Sequence, residues 1–399
     1  LFKNDLNLIV FMSSVLRVFK YRLYPSKAQV KAFEETLETC RTLYNNALAE
    51  RKNAWESERK SFSYLQQQNK LPALKRFAPE LAGVHSQVLQ NTLRRLDAAF
   101  KGFFRRVKNG EPSGYPRFKG VDRYDSFTFP QFGNGVRLEG KKLRLSKIGL
   151  VSVKLHRGLP KNGVIKACTI KRDVDRWYAC LTIEKSSSQE RREAKRAVGV
   201  DVGLKNLVAL SNGELVKNPR WLEECEARLA VLQQRLSHKQ KGSRNRSKQR
   251  LRVARLHRRV RNQRRDFLHK LSRRLVDDFD LIKFENLNIR SMLKNRFLAK
   301  SIGGAGWFEL MFFVRYKAEE AGTVVEFVEP QGTSVKCSEC GFLVPKTLSV
   351  RTHSCPNCGS VEDRDINAAK NILYTVGLTG SACRGTRSER AVEAGSPRH

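Results

Sequence analysis

Four cysteines stand in two pairs, Cys337-x2-Cys340 and Cys355-x2-Cys358, with 14 residues between the pairs. A CxxC unit turns tightly enough to give two thiolates to one metal, and two such knuckles close a tetrahedron around Zn2+. Gly341 and Gly359 follow the second cysteine of each pair, where the chain has to turn. Four sulfur ligands leave no coordination position open to a substrate, so the expected zinc is structural rather than catalytic. His353 lies between the knuckles and is expected to be a bystander, since four cysteines suffice.

A second chemistry is written in carboxylates. Asp201 closes Val198-Gly199-Val200-Asp201-Val202-Gly203, Glu285 ends the apolar run "LIKFE", and Asp363 and Asp365 precede "INAAKNIL". Each has an ordinary explanation alone: a turn-forming Asp-x-Gly, a hydrogen-bonded acid at the edge of a core, a helix cap. Together they meet a mechanical need. Phosphodiester hydrolysis with two divalent cations, Mg2+ or Mn2+, requires carboxylates from separate elements at one point. A strand with a hairpin, a later strand and a terminal helix can supply three, which is the ribonuclease H-like arrangement.

Those elements are legible. "VLRVFKYRLYPS" alternates apolar and basic residues and reads as a strand. Ser26 is a candidate N-cap for a helix in which Val30, Phe33, Leu37, Cys40 and Leu43 recur at helical spacing. A further helix is predicted over 86–107. Short alternating runs between 135 and 184 predict a small β-barrel that the N-terminal strand joins, which makes the helical block an insertion. After a linker at 186–196 come two strands and a third beyond an Asn212-Gly213 turn. Two long helices are predicted over 221–276, then a strand through "LIKFE", a helix over 307–321, the strand "TVVEFVEP", the cysteine segment and a last helix.

Lysine and arginine number 77 against 39 acids, a formal charge of +38 over 399 residues. Such an excess points to a polyanionic partner, nucleic acid first. No acid occurs between Glu226 and Asp266, where arginine is dense. Arg255, Arg258, Arg259, Arg261, Arg264 and Arg265 are read as contacts to the phosphates of an RNA or RNA–DNA duplex, which position it without reading sequence. "RVFKYRLY" and "YPRFKG" interleave aromatics with bases, able either to stack on nucleotides or to fill a barrel core. Nine cysteines with five of them scattered make no disulfide framework, so a reducing compartment is expected. No apolar run approaches the ~20 residues that span a bilayer, and no membrane partner is expected. "LFKNDLNLIVFM" lacks a cleavage site and is not read as a signal peptide; the recognisable pattern begins near Met12.

The stretches "YRLYPSKAQ", "LYNNALAERK", "LQNTLRRLDAAFKGFFRRVKNG", "YPRFKG", "GVDVGLKNLVALSNG", "RRDFLHKLSRRLV", "FENLNI", "AGWFEL" and "VEPQGTSVKCSECG…CPNCGSVEDRDINAAKNIL" resemble, in order and spacing, TnpB proteins. These are RNA-guided DNA endonucleases encoded by insertion sequences. The likeness covers about residues 15–376. It implies a multidomain α+β and α/β fold: a wedge-like β-barrel with an inserted helical domain, then an RNase H-like (RuvC) nuclease domain with an inserted zinc ribbon. The implied partition is an extension at 1–11, a barrel strand at 12–26, a helical recognition domain at 27–125 and the barrel at 126–192. The nuclease domain at 193–333 follows, with a helical insertion at 219–276. The ribbon occupies 334–361, the last nuclease segment 362–376, and a disordered tail 377–399.

The resemblance carries the catalytic positions onto Asp201, Glu285 and Asp365. Asp365 is taken over Asp363 because the family's acid directly precedes x-Asn-Ala-Ala, leaving Asp363 to cap or orient. Tyr64, Gln90 and Gln131 match positions that recognise a short duplex motif beside the target. The implied partners are a guide RNA from the element and double-stranded target DNA, in a monomeric or weakly dimeric ribonucleoprotein of the prokaryotic cytoplasm, near the nucleoid. The sequence departs from its relatives in "SVEDRD", where many have His before the acids, and at Asn286, where many have Asp. Two other readings remain at this point: an idle zinc-ribbon protein that only binds nucleic acid, and a transposase that joins strands itself.

Overall fold

The computed structural model describes residues 13–160, 162–187, 193–330, 332–347 and 350–375. The expected extension at 1–11 and tail at 377–399 lie outside them. The chain divides into one unit up to Ser187 and a second from Ser188.

The first unit opens with strand β1 (Ser13–Tyr24) and helix α1 (Lys27–Glu58). Ser26 caps α1 as expected: its hydroxyl accepts from Gln29 N, and the Gln29 side chain accepts in return from Ser26 N. Phe33, Leu37, Cys40 and Leu43 are buried along one stripe. Short helices α2 (Tyr64–Asn69), α3 (Leu71–Phe77) and α4 (Pro79–Ala82) lead to the long α5 (Ser86–Lys108). Strands β2 (Ser126–Phe129), β3 (Val136–Glu139), β4 (Lys142–Leu145), β5 (Gly149–Lys154), β6 (Gly163–Asp173) and β7 (Arg176–Ser187) complete the unit.

They form one sheet in the order β2-β6-β7-β1-β5-β4-β3. β1 lies between β7 and β5, antiparallel to both, so the helices are indeed inserted after the first strand. The sheet is a nearly closed, barrel-like wall with β2 and β3 at its two ends. Phe127, Phe129, Leu143, Leu145 and Trp177 fill its core together with Phe33 of α1 and Leu93 of α5. The aromatics of the basic strand divide: Tyr21 is buried, while Tyr24 is exposed.

The second unit carries strands β8 (Ala197–Val202), β9 (Asn206–Leu210) and β10 (Leu215–Lys217), then helices α6 (Trp221–Glu224), α7 (Glu226–Ser237) and α8 (Arg244–Asp278). The expectation of two long helices needs correcting here. The first is one short turn plus a 12-residue helix, and the second runs 35 residues, to Asp278. The break falls at Gly242, whose φ of 84° suits glycine, and Ser243 then caps α8 by accepting from Arg246 N. Strand β11 (Leu281–Glu285), helices α9 (Ile289–Met292), α10 (Ala299–Ala305) and α11 (Trp307–Ala321), strand β12 (Val324–Val328), the small hairpin β13 (Thr352–Ser354) and β14 (Val361–Asp363), and helix α12 (Arg364–Tyr374) follow.

The main sheet has the order β10-β9-β8-β11-β12, with β8, β11 and β12 mutually parallel and β9 and β10 antiparallel. Side chains alternate between the faces of a strand. Val198, Val200 and Val202 of β8 and Ile282 and Phe284 of β11 share one core with Leu268 and Leu271 of α8 and Leu310 and Val314 of α11. Gly199, Asp201, Lys283 and Glu285 therefore face the other way. That opposite face is where α12 packs: Lys283 Nζ donates to the Thr375 carbonyl just beyond its end, at 3.0 Å. Among the described residues no helix is long and apolar enough to cross a membrane.

Candidate active site and metal centre

Asp201 sits one residue before the end of β8, and Glu285 is the last residue of β11. The parallel register pairs Phe284 with Val200, so the two carboxylates stand at the same level on neighbouring strands. Asp365 is in the first turn of α12. Asp363 is the N-cap of that helix, its side chain accepting from Asp365 N at 2.8 Å, which is the capping role expected of it.

The approach of α12 to β8 depends on a missing side chain. A Cβ at Gly199 would lie 2.0 Å from the Ala369 carbonyl oxygen and 2.7 Å from Leu373 N. Gly199→Ala must therefore push the helix off the strand. We expect it to cost about 3 kcal/mol, an overpacking penalty at the upper end of the usual range, and to weaken any activity that needs Asp365 beside Asp201. Chemical denaturation checks it; an unchanged midpoint would show that the helix does not need this contact.

Asp201 is partly buried and its carboxyl is raised well above the usual range, first by burial, then by the nearby charges of Glu285 and Asp365, with Arg364 and the Val202 N–H opposing. Glu285, 9% exposed, is also raised by burial, against a hydrogen bond donated by the Thr333 hydroxyl. Arg351 Nη1 lies 3.8 Å from Asp365 Oδ1. Three acids thus converge at one end of the sheet, where the charges of Glu285 and Asp365 oppose the ionisation of Asp201. This donor set suits divalent cations, which would restore the charge balance. The three carboxylates are not gathered as tightly as the thiolates. Among the described residues, the four cysteines are the group of metal-ligating side chains within 4.8 Å of one another.

The thiolate cluster has the right size for zinc. Sγ of Cys337 and Cys358 are 3.7 Å apart, and those of Cys340 and Cys355 3.5 Å. A tetrahedron with Zn–S bonds of about 2.3 Å needs sulfurs about 3.8 Å apart. Gly341 and Gly359 turn each knuckle at φ 77° and 72°, and each donates its N–H back to the first cysteine's carbonyl. Hydrogen bonds from Asn357 and from the Phe342 N–H bring the Cys340 thiol down to about 6, while the Cys358 thiol, despite the Ser360 N–H, is pushed up to about 12 by the thiols around it. His353 is fully buried outside this group, with Nδ1 against the Lys346 amino group.

The nucleic-acid residues chosen from sequence fall into two places. In the first unit, α5 gathers Tyr64, Gln90 and Gln131. Arg94 Nε donates to the Tyr64 hydroxyl at 2.9 Å, Gln87 Nε2 donates to Gln131 Oε1 at 3.0 Å, and Gln90 lies between Gln87 and Arg94 on one helix face. Gln87 and Arg94 were not singled out from sequence, although their helical spacing from Gln90 was visible. In the second unit the arginines of α8 are not equivalent. Arg255 and Arg259 are exposed and Arg261 is partly buried. Arg258 departs from the expectation, being 6% exposed because its position faces the protein rather than solvent. Arg264 and Arg265 both pair with Glu309 of α11, and Arg264 also donates to the Gly303 carbonyl at 2.8 Å.

Sequence reading also missed Thr333, Asn367 and Asn371. Asn367 Nδ2 donates to the Lys336 carbonyl at 2.8 Å, and Asn371 Nδ2 to the Thr333 and Lys336 carbonyls at 2.8 and 2.6 Å. Two asparagines four apart inside a helix are poor helix formers, and that local cost was the available signal of an anchoring role.

Three family models match the chain: OrfB/IS605, described as "Probable transposase", over residues 179–296; "Cas12f1-like, TNB domain" over 307–372; and an OrfB/IS605 "Helix-turn-helix domain" over 12–60. Over the described part of the last span the chain folds as β1 and α1. A Streptomyces pristinaespiralis protein named "Putative RNA-guided DNA endonuclease" is 38% identical over 95% of this chain and 94% of its own length. An Escherichia coli K12 protein, "Putative RNA-guided DNA endonuclease InsQ", is 31% identical over 90% of this chain and 92% of its own. Among solved structures, a Cas12f1 from a complex with sgRNA and target DNA shares the fold at a TM-score of 0.59, with 13% identity over 90% of this chain and 99% of that one. With relatives this similar along nearly the whole of both chains, the protein belongs to the OrfB/IS605 family, the TnpB proteins.

Proposed function

We propose that this chain is the RNA-guided DNA endonuclease of a transposable element, and that Asp201, Glu285 and Asp365 are its catalytic carboxylates. The observation that carries the reading is their convergence on one face of the sheet, at the ends of two parallel strands and the start of the helix packed on them. The names of the relatives and the sgRNA and target DNA of the Cas12f1 complex support the choice of guide and substrate.

Two bound Mg2+ or Mn2+ ions would supply an activated water and neutralise charge on the leaving oxygen. The chain's own work is to bring three carboxylates to that point and to fix their directions. Glu285 is held by the Thr333 hydroxyl, and Asp365 by the Asp363-capped turn. Cys337, Cys340, Cys355 and Cys358 would bind one structural Zn2+. Arg255, Arg259 and Arg261 would take phosphates of the guide–target duplex, while Tyr64, Gln90 and Gln131 would meet the duplex motif beside the target.

The test is purification with co-transcribed RNA, followed by digestion of plasmids that carry the matching target beside a library of flanking sequences. Mg2+-dependent double-strand cuts with 5′-phosphates and no strand transfer are expected. Strand joining would favour a transposase, and no cutting across the whole library would overturn the enzyme reading.

A further inference from the structure

The segment between β12 and the first knuckle touches both halves of the carboxylate site. Thr333 is 4% exposed, and its hydroxyl donates to Glu285 Oε1. Its carbonyl accepts from Asn371, on the helix that begins beside Asp365. Three residues on, the Lys336 carbonyl accepts from both Asn371 and Asn367, and Asn367 Oδ1 accepts in return from Ser338 N at 2.9 Å, inside the first CxxC. The Ser338 hydroxyl donates to Glu362 at 2.9 Å, and Lys370 pairs with Glu362 at 2.9 Å and with Glu339 at 3.1 Å. One short strap thus joins β11, α12 and the thiolate cluster. Asn367 and Asn371 are almost fully buried. Buried amides of this kind hold geometry only when all their partners are present.

We propose that Thr333 is a positioning residue that couples the cysteine knuckle to the carboxylate site: its hydroxyl aims Glu285 at the cations, and its carbonyl fixes that aim to the helix bearing Asp365. The inference rests on the proposed catalytic role of the three acids. It assigns the ribbon more than bracing, because the conformation of residues 333–338, set by the first knuckle, also sets the separation and direction of Glu285 and Asp365. A carboxylate ligand whose outer hydrogen bond is removed binds its metal about 10- to 100-fold more weakly.

The test compares Thr333→Val, which keeps shape and loses the hydroxyl, with Thr333→Ser, which keeps the hydroxyl. Mn2+ is titrated into the purified protein–RNA complex and the free ion is read by electron paramagnetic resonance, with the Asp201→Asn complex as background for ions bound to RNA. Thr333→Val is expected to raise the half-saturation at least about tenfold, with zinc content and target-DNA binding unchanged, and Thr333→Ser to stay near wild type. If the wild type shows no Mn2+ binding above the Asp201→Asn background, both the catalytic assignment and this inference fall. If it does, and Thr333→Val titrates like wild type, or Thr333→Ser is equally impaired, this inference alone falls.

Discussion

Asp201→Asn is expected to reduce DNA cleavage about 100- to 1,000-fold or more, the cost of removing one charged group aimed at the reacting centre, while guide and target binding persist. The same substitution should make the metal-free protein more stable. Asp201 is raised above its ordinary value by burial and by Glu285 and Asp365. A carboxyl raised in the folded state contributes stability that is complete below its unfolded value of about 3.9 and is lost as pH rises through the folded value. Without Mg2+ at neutral pH the wild type therefore bears a cost for burying the Asp201 carboxyl that the amide lacks. A rise in Tm of about 2–4 °C is expected, which is what ~1 kcal/mol produces in a domain of this size. The difference should vanish below pH 4, and Mg2+ should cancel or reverse it, because the cation stabilises the carboxylate and not the amide. Scanning calorimetry with and without Mg2+ decides the matter. Retained cleavage would mean that Asp201 is not one of the catalytic carboxylates, and a Tm gain indifferent to Mg2+ would mean that it is not a cation ligand.

Cys337→Ser should be the most damaging single change to the second unit. Structural zinc contributes an apparent ~10–16 kcal/mol in small zinc modules, comparable with the whole ~5–15 kcal/mol stability of an ordinary domain. Among the described residues the ribbon's own regular structure is small: a hairpin of two three-residue strands and one isolated pairing of Lys336 with Leu343. Cys337 is 1% exposed, so the serine hydroxyl would replace a thiolate in a closed site. We expect bound zinc to fall from one per chain to none, and amide exchange to rise across both knuckles. The loss should then spread into α12 through the freed Asn367 and Asn371, and cleavage should disappear with it. Elemental analysis and hydrogen-exchange mass spectrometry provide the readout. Protection of α12 that survives zinc loss would separate the ribbon from the nuclease site.

The parts of this architecture that depend on neighbours along the chain were legible in advance. Ser26 and the 3–4 spacing behind it predicted the start and buried stripe of α1. The run from Trp307 to Ala321 is a helix with those bounds, and the paired cysteines with their glycines predicted a closed metal site. Asp363 was set apart from Asp365 by the resemblance, in which the family's acid directly precedes x-Asn-Ala-Ala, and Asp363 does cap the helix. The likeness to TnpB proteins pointed to the three acids, yet no spacing rule could bring together residues separated by whole helices.

Folding supplied that. The parallel register of β8 and β11 puts Asp201 and Glu285 level, the strand period sends both to the face opposite the valine core, and the bare backbone at Gly199 admits the helix that carries Asp365. It also turned Arg258 inward, engaged Arg264 and Arg265 with Glu309, and made an anchor of two asparagines that look ill placed in a helix. Caps, periodicities and ligand spacings are short-range properties of a chain, fixed within a turn or a pleat. Like-charge convergence, a helix resting on a strand and a hydroxyl aimed at a carboxylate are long-range, and they exist only once the sheet has set its register.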